Sequence, residues 1–170
     1  IASISPEKGG PKTLIQINGD HFFKCLHTHG STDIYTSIEK SCNTFYYSTV
    51  VKLGLDRWSK YSKLFGFGHK SGVDISEEYP GIVPSTEYYN KVYGKNGWTK
   101  GFVVSLGIGQ GELSVTPIQM AQYAALIANY GKSAKPHFLK AYVDTKTNKR
   151  SEVQPKYINV GISKKTFDVV

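Results

Sequence analysis

Hydrophobic positions recur with helical spacing in four stretches of this chain. Ile34 and Ile38 lie four apart after Ser31-Thr32-Asp33, a run of N-cap residues, and predict a short helix to about Lys40. Ser41-Cys42-Asn43 follows as a turn of small residues that compete for backbone hydrogen bonds. From Thr44, the spacing of Phe45, Tyr46, Val50 and Leu53 predicts a second helix that stops at Gly54, a residue suited to the position just past a helix. Asp56 is placed to cap a third, with Trp58, Tyr61, Leu64 and Phe65 facing inward and Gly66 at its end. The strongest signal is Thr116-Pro117-Ile118-Gln119, which combines a capping hydroxyl, proline at the first helical position and glutamine three residues past the cap. It predicts a helix through Met120, Ala124, Leu126 and Ile127 to near Gly131, alanine-rich on several faces and therefore buried and central. Phe138, Leu139, Ala141, Tyr142 and Val143 predict a strand, and 145–170 a polar hairpin or edge segment. Residues 1–30 read as extended or irregular. Residues 66–100, rich in Gly, Pro, Asn and Tyr, read as a long ordered loop of the kind that binds partners or carries function.

Composition bounds the class. The chain has 170 residues, about one domain at ~150 residues per domain. With 39% hydrophobic and 20% charged residues it is not intrinsically disordered. No apolar run approaches the ~18–20 residues of a membrane span, and Ile1-Ala2-Ser3 does not open a signal peptide. With its single Met at position 120, the chain reads as a piece of something longer.

The net charge of +8 raises nucleic acid as a partner, but Lys and Arg are spread along the chain. No recognition-helix, zinc-finger or ribonucleoprotein pattern accompanies them, so a solvated basic surface is favoured and no nucleic-acid partner is expected. An acidic polymer or an anionic membrane surface fits the charge as well.

Two cysteines, Cys25 and Cys42, are too few for a disulfide framework. Cys25 lies in a stretch that also holds His21, His27 and His29. Thiolate and imidazole are good zinc ligands, and Cys25, His29 and Cys42 could supply three of the four that tetrahedral zinc requires. The spacing matches no standard zinc module. The other reading, favoured on spacing alone, is two buried free thiols with surface histidines and no cofactor.

Several short motifs point to chemistry. Gly107-Ile108-Gly109-Gln110-Gly111 precedes a helix, but it is not GxGxxG and lacks the Lys-Ser/Thr of a phosphate loop, so its glycines are assigned to a tight path or a close backbone approach. Ser5-Pro6-Glu7-Lys8 and Ser37-Ile38-Glu39-Lys40 match Ser-x-x-Lys, a spacing that sets a lysine amine one helical turn from a serine whose proton it can take. Ser41-Cys42-Asn43 matches Ser-x-Asn and Lys70-Ser71-Gly72 matches Lys-Ser/Thr-Gly.

Order and spacing decide among these. The run from Ser41-Cys42-Asn43 to Tyr47, then Leu53-Gly54-Leu55-Asp56-Arg57, then Phe65 through Glu78, then Gly107 through Ala121, resembles the transpeptidase domain of class B penicillin-binding proteins of the elongation type. The resemblance covers about residues 29–140 and implies an α/β penicillin-recognising fold, represented here mostly by its helical lobe. It implies a serine-type peptidoglycan D,D-transpeptidase that cross-links stem peptides through an acyl-serine and is the target of β-lactams. Ser41 would relay a proton between the catalytic lysine and the leaving or entering amine, and Asn43 would orient the substrate amide and hold the lysine. Cys42 would be the variable middle position, pointing away from the pocket.

The same resemblance excludes Ser37 as nucleophile, one turn before Ser41, and disfavours Ser5, which lacks the expected flanking residues. It assigns Lys70-Ser71-Gly72 to a loop rather than to the third motif. Residues 1–170 would then be an internal fragment of one transpeptidase domain, inactive alone, with the nucleophile and the Lys-Ser/Thr-Gly strand outside it. The implied partners are stem peptides, β-lactams and the membrane proteins of the elongation machinery. The implied location is the inner membrane, with the catalytic domain in the periplasm. Three competing readings are another penicillin-recognising enzyme, a non-enzymatic module that binds cell-wall glycan or a partner protein, and a nucleic-acid binder.

Overall fold

The computed structural model describes residues 14–18 and 21–169. The chain divides into two compact units: Ile1–Lys60 with Pro84–Leu113, and Tyr61–Val83 with Ser114–Val170.

In the first unit, β1 (Leu14–Asn18) and β2 (His21–Lys24) form an antiparallel hairpin that sets Leu14 opposite Lys24 and Ile15 opposite Phe23. The extended reading holds there. Ser5 and Lys8 lie outside the described residues. Helix α1 (Ile34–Glu39) is capped by Asp33, whose side chain accepts the Thr36 amide at 2.8 Å. Helix α2 (Asn43–Leu53) ends at Gly54, as its spacing predicts.

Helix α3 (Leu55–Leu64) begins two residues earlier than an Asp56 cap implies, directly after Gly54. Its buried residues are Leu55 and Ser59, Trp58 packs partly buried against the core of its unit, and Tyr61 and Leu64, expected to face inward, are exposed. Asp56 therefore sits inside the first turn. Its carboxylate instead accepts the Thr86 amide and hydroxyl at 2.9 and 2.8 Å.

The stretch 66–100 is not one long loop. It contains α4 (Thr86–Tyr93), capped by Ser85 and closed by Gly94, and Thr99 caps α5 (Lys100–Leu106). Tyr89 is fully buried among Val50, Leu55, Val103 and Leu106, with the Trp98 and Phe102 rings 5.2 and 5.6 Å away. A buried side chain of this size contributes about 1.5–3 kcal/mol.

The second unit is built on α6 (Pro117–Ala128). The predicted capping box is present: Gln119 N–H donates to the Thr116 hydroxyl and the Gln119 side chain accepts the Thr116 amide. The helix is not buried on several faces. Gln119, Gln122 and Leu126 form its buried stripe, while Met120 and Ala124 are exposed, because only one side packs against the rest of the unit. Its core is Leu126, Val160 and Phe167 with Phe65, Ile127, Ile158 and Ile162.

Strand β3 (Lys132–Ala134) pairs antiparallel with β6 (Tyr157–Asn159), and β4 (Ala141–Val143) with β5 (Arg150–Glu152); α7 (Lys164–Phe167) follows. The expected strand from Phe138 thus starts only at Ala141. The Phe138 and Leu139 amides donate to the two carboxylate oxygens of Asp74, at 2.7 and 2.8 Å, and so are unavailable to a neighbouring strand. The segment 145–170 does not form a hairpin of its own: its strands β5 and β6 pair with β4 and β3, and β3 and α7 were not foreseen. Among the described residues, no helix is long and apolar enough to cross a membrane.

Candidate active site and metal cluster

Ser41 and Asn43 flank the junction of α1 and α2. The Ser41 amide donates to Ile38 O at 3.3 Å and the Cys42 amide to Ser37 O at 3.0 Å. These are the two bonds of a Schellman ending, and they place Ser41 at the position where the chain turns left-handed. Its φ is +49°. Glycine is the usual occupant, and a residue with a Cβ costs roughly 1–2 kcal/mol there. The Ser41 side chain is exposed, Cys42 is buried, and Asn43, half-buried, is the first residue of α2.

Beneath this turn lies the second feature. Ligand atoms of Cys25, His29 and Cys42 all lie within 4.8 Å of one another, with Cys25 Sγ 3.1 Å from His29 Nε2. Ligands of a tetrahedral zinc are about 3.5–3.8 Å apart at Zn–S ~2.3 Å and Zn–N ~2.0 Å, so the three atoms would need to shift by up to about 1 Å to share one ion. Burial alone would raise the Cys25 thiol pKa. Hydrogen bonds from the His27, Asn43 and Thr44 amides and from Cys42 outweigh it and hold the pKa below the usual thiol value. Two of those amides belong to the first turn of α2, where a thiolate is favoured. Residue types pointed to this cluster; spacing alone did not.

Ser37 is fully buried and donates to Ile34 O at 2.7 Å. Lys40, at its Ser-x-x-Lys partner position, is the exposed C-cap of α1, so this pair cannot act as nucleophile and base. Lys70-Ser71-Gly72 lies in a loop, as expected. The Ser71 and Gly72 amides turn to the Glu78 carboxylate at 2.6 and 3.1 Å.

The transpeptidase-like order of these motifs agrees with comparison to known proteins. The model of the "Penicillin binding protein transpeptidase domain" family matches residues 5–170. The chain belongs to this family. Two relatives are named peptidoglycan D,D-transpeptidase MrdA. That of Haemophilus influenzae is 40% identical over 113 residues, covering 66% of this chain and 17% of its own length. That of Escherichia coli K12 is 38% identical over 111 residues, covering 65% and 17%. The chain therefore spans under a fifth of these relatives.

Among solved structures, penicillin-binding protein 2 of Helicobacter pylori, in complex with MreC, aligns with 99% of this chain and 29% of its own at TM-score 0.78 and 28% identity. Penicillin-binding protein 2 of Pseudomonas aeruginosa, in complex with WCK 5153, aligns with 94% and 34% at TM-score 0.74 and 30% identity. The fold is thus that of penicillin-binding transpeptidases, and the chain covers mostly its helical part.

Gly107, which opens the glycine run after α5, makes the close backbone approach read from its sequence. A Cβ on Gly107 would lie 2.8 Å from both Tyr46 O and Val50 Cγ1 of α2, so the glycine permits a close helix approach. That contact lies on the helix that Asn43 opens. What sequence reasoning missed is the buried amide of Gln122 on α6; its only signal was a glutamine at a position spaced with Leu126.

Proposed function

We propose that this chain supplies the Ser-x-Asn region of a peptidoglycan D,D-transpeptidase that cross-links stem peptides through an acyl-serine and is acylated by β-lactams. Ser41 relays a proton between the catalytic lysine and the amine that leaves or enters, and Asn43 orients the substrate amide and holds that lysine. The observation that carries the reading is the exposed Ser41 hydroxyl, held in left-handed backbone at the head of α2. Family membership and the relatives' names favour an enzyme over a glycan-binding module. The proposed setting is the outer side of the inner membrane, among membrane proteins of the elongation machinery; the MreC complex of the Helicobacter pylori protein is consistent with such partners.

Fluorescent penicillin labelling of the full-length protein tests the roles. Ser41→Ala and Asn43→Ala should each slow labelling at least tenfold with the thermal midpoint little changed. Labelling at the parental rate in both variants would refute the assignment.

We propose further that Cys25, His29 and Cys42 hold a zinc ion. The convergence of their ligand atoms supports this, and the fourth position would be filled by solvent or a further residue. The ion would tie the segment after β2 to the head of α2 and so fix Cys42, the middle residue of Ser-x-Asn. Elemental analysis should find about one zinc per chain, lost in Cys25→Ser and Cys42→Ser. Metal-free protein purified without chelator would end the idea.

A further inference from the structure

The second unit holds a cavity that the transpeptidase reading leaves unused. Its volume is about 240 Å³. The loop after α3 contributes His69, Lys70 and Ser71 to it, α6 contributes Gln122 and Leu126, and Lys135 follows β3. No carboxylate lines it among the described residues.

Gln122 is only 5% exposed, and its buried Nε2 has no hydrogen-bond partner among the described residues. Native proteins rarely leave a buried donor unmet, and such a group calls for a partner. The contrast lies one turn away on the same helix, where Gln119 Nε2 donates to both His69 O and Pro80 O at 2.8 Å.

The charged groups point the same way. Lys135 Nζ lies 3.7 Å from where a Cβ on Gly72 would stand, which sets it against the loop that carries Lys70. The nearby acid, Glu78, feels the charge of Lys70, but its carboxylate is already engaged by the Ser71 and Gly72 amides. Lys70, Lys135 and Gln122 thus line one space. At ~30 Å³ per water the cavity holds about eight waters, and it falls below the ~300–1,000 Å³ typical of drug-sized ligands.

We propose that this cavity binds a compact oxyanion of phosphate or carboxylate type, taking hydrogen bonds from Gln122 Nε2, Lys70 and Lys135. The test is thermal unfolding of the full-length protein titrated with sodium phosphate and, separately, sodium acetate, each against sodium chloride at equal ionic strength. A saturable rise in midpoint beyond the chloride control is expected with at least one of them. Phosphate saturation identifies a phosphate-type ligand and acetate saturation a carboxylate.

The apparent affinity should fall at least tenfold in Lys135→Met and in Lys70→Met. Gln122→Leu should abolish the rise and lift the anion-free midpoint, since it removes the unmet donor. Penicillin labelling at the parental rate verifies that each variant is folded. A midpoint that follows ionic strength alone, or a rise that survives in both lysine variants, overturns the proposal.

Discussion

Ser41 holds a backbone conformation that glycine would hold with less strain, so stability and chemistry make opposite demands at one residue. Ser41→Gly should leave the protein as stable or raise its stability by about 1 kcal/mol in urea titration, while penicillin labelling falls as far as in Ser41→Ala. A loss of stability with labelling retained would mean that the serine serves the turn. Gln119 is the other residue whose place is decided by its hydrogen bonds. Gln119→Leu keeps the volume but orphans the Thr116 amide and two carbonyls, and should cost about 2–3 kcal/mol on denaturant unfolding. Its role in the capping box was readable from Thr116-Pro117-Ile118-Gln119; its reach to His69 and Pro80 was not, because those carbonyls are 50 and 39 residues away. In the same way, Ser-x-Asn could be read in the chain, whereas the left-handed turn could not, since no glycine marks it.

Elements with a cap signal and a helical repeat were readable: α1, α2 and α6 lie close to where those signals put them, although the one-sided burial of α6 was not foreseen. Helix α4 was hidden because its buried residue is a tyrosine in a run of polar and aromatic neighbours, which resembles a loop until the aromatic cluster is seen. That cluster contains a titratable device. Tyr89 and Tyr93 both donate to Glu112, at 2.6 Å each. Burial, then the bond to Glu112, raises the Tyr89 pKa well above the usual phenol value. The unfolded tyrosine loses its proton near pH ~10 while the folded one keeps it, so the folded state binds more protons there and stability falls as pH rises. Parental protein should therefore lose stability steadily above pH ~10, and Tyr89→Phe should show a shallower alkaline limb. An unchanged limb would show that Tyr89 does not couple folding to pH.

At the scale of the molecule, length and charge were poor guides and motif order was the good one. One domain and +8 charges describe many proteins; the ordered run from Ser41 to Ala121 belongs to the penicillin-binding transpeptidase family. The charge still carries an expectation. Retention of the protein on an anionic polymer should weaken as salt shortens the screening length from ~10 Å at 0.1 M to ~3 Å at 1 M. Retention that ignores salt would assign the contact to apolar groups. Such groups are plentiful, and one pair shows how the chain manages them. Phe138 and Leu139 are 74% and 50% exposed in extended sequence just before β4. Two apolar residues with free amides would be a template for strand addition by another copy. The Asp74 carboxylate occupies both amides, and those bonds also hold its pKa below the usual carboxylate value. The clamp is intact above the unfolded carboxyl pKa and loosens as pH falls through the lower folded value. One acidic side chain, 64 residues from Phe138 in sequence, thus keeps both amides from a neighbouring strand and releases them on acidification.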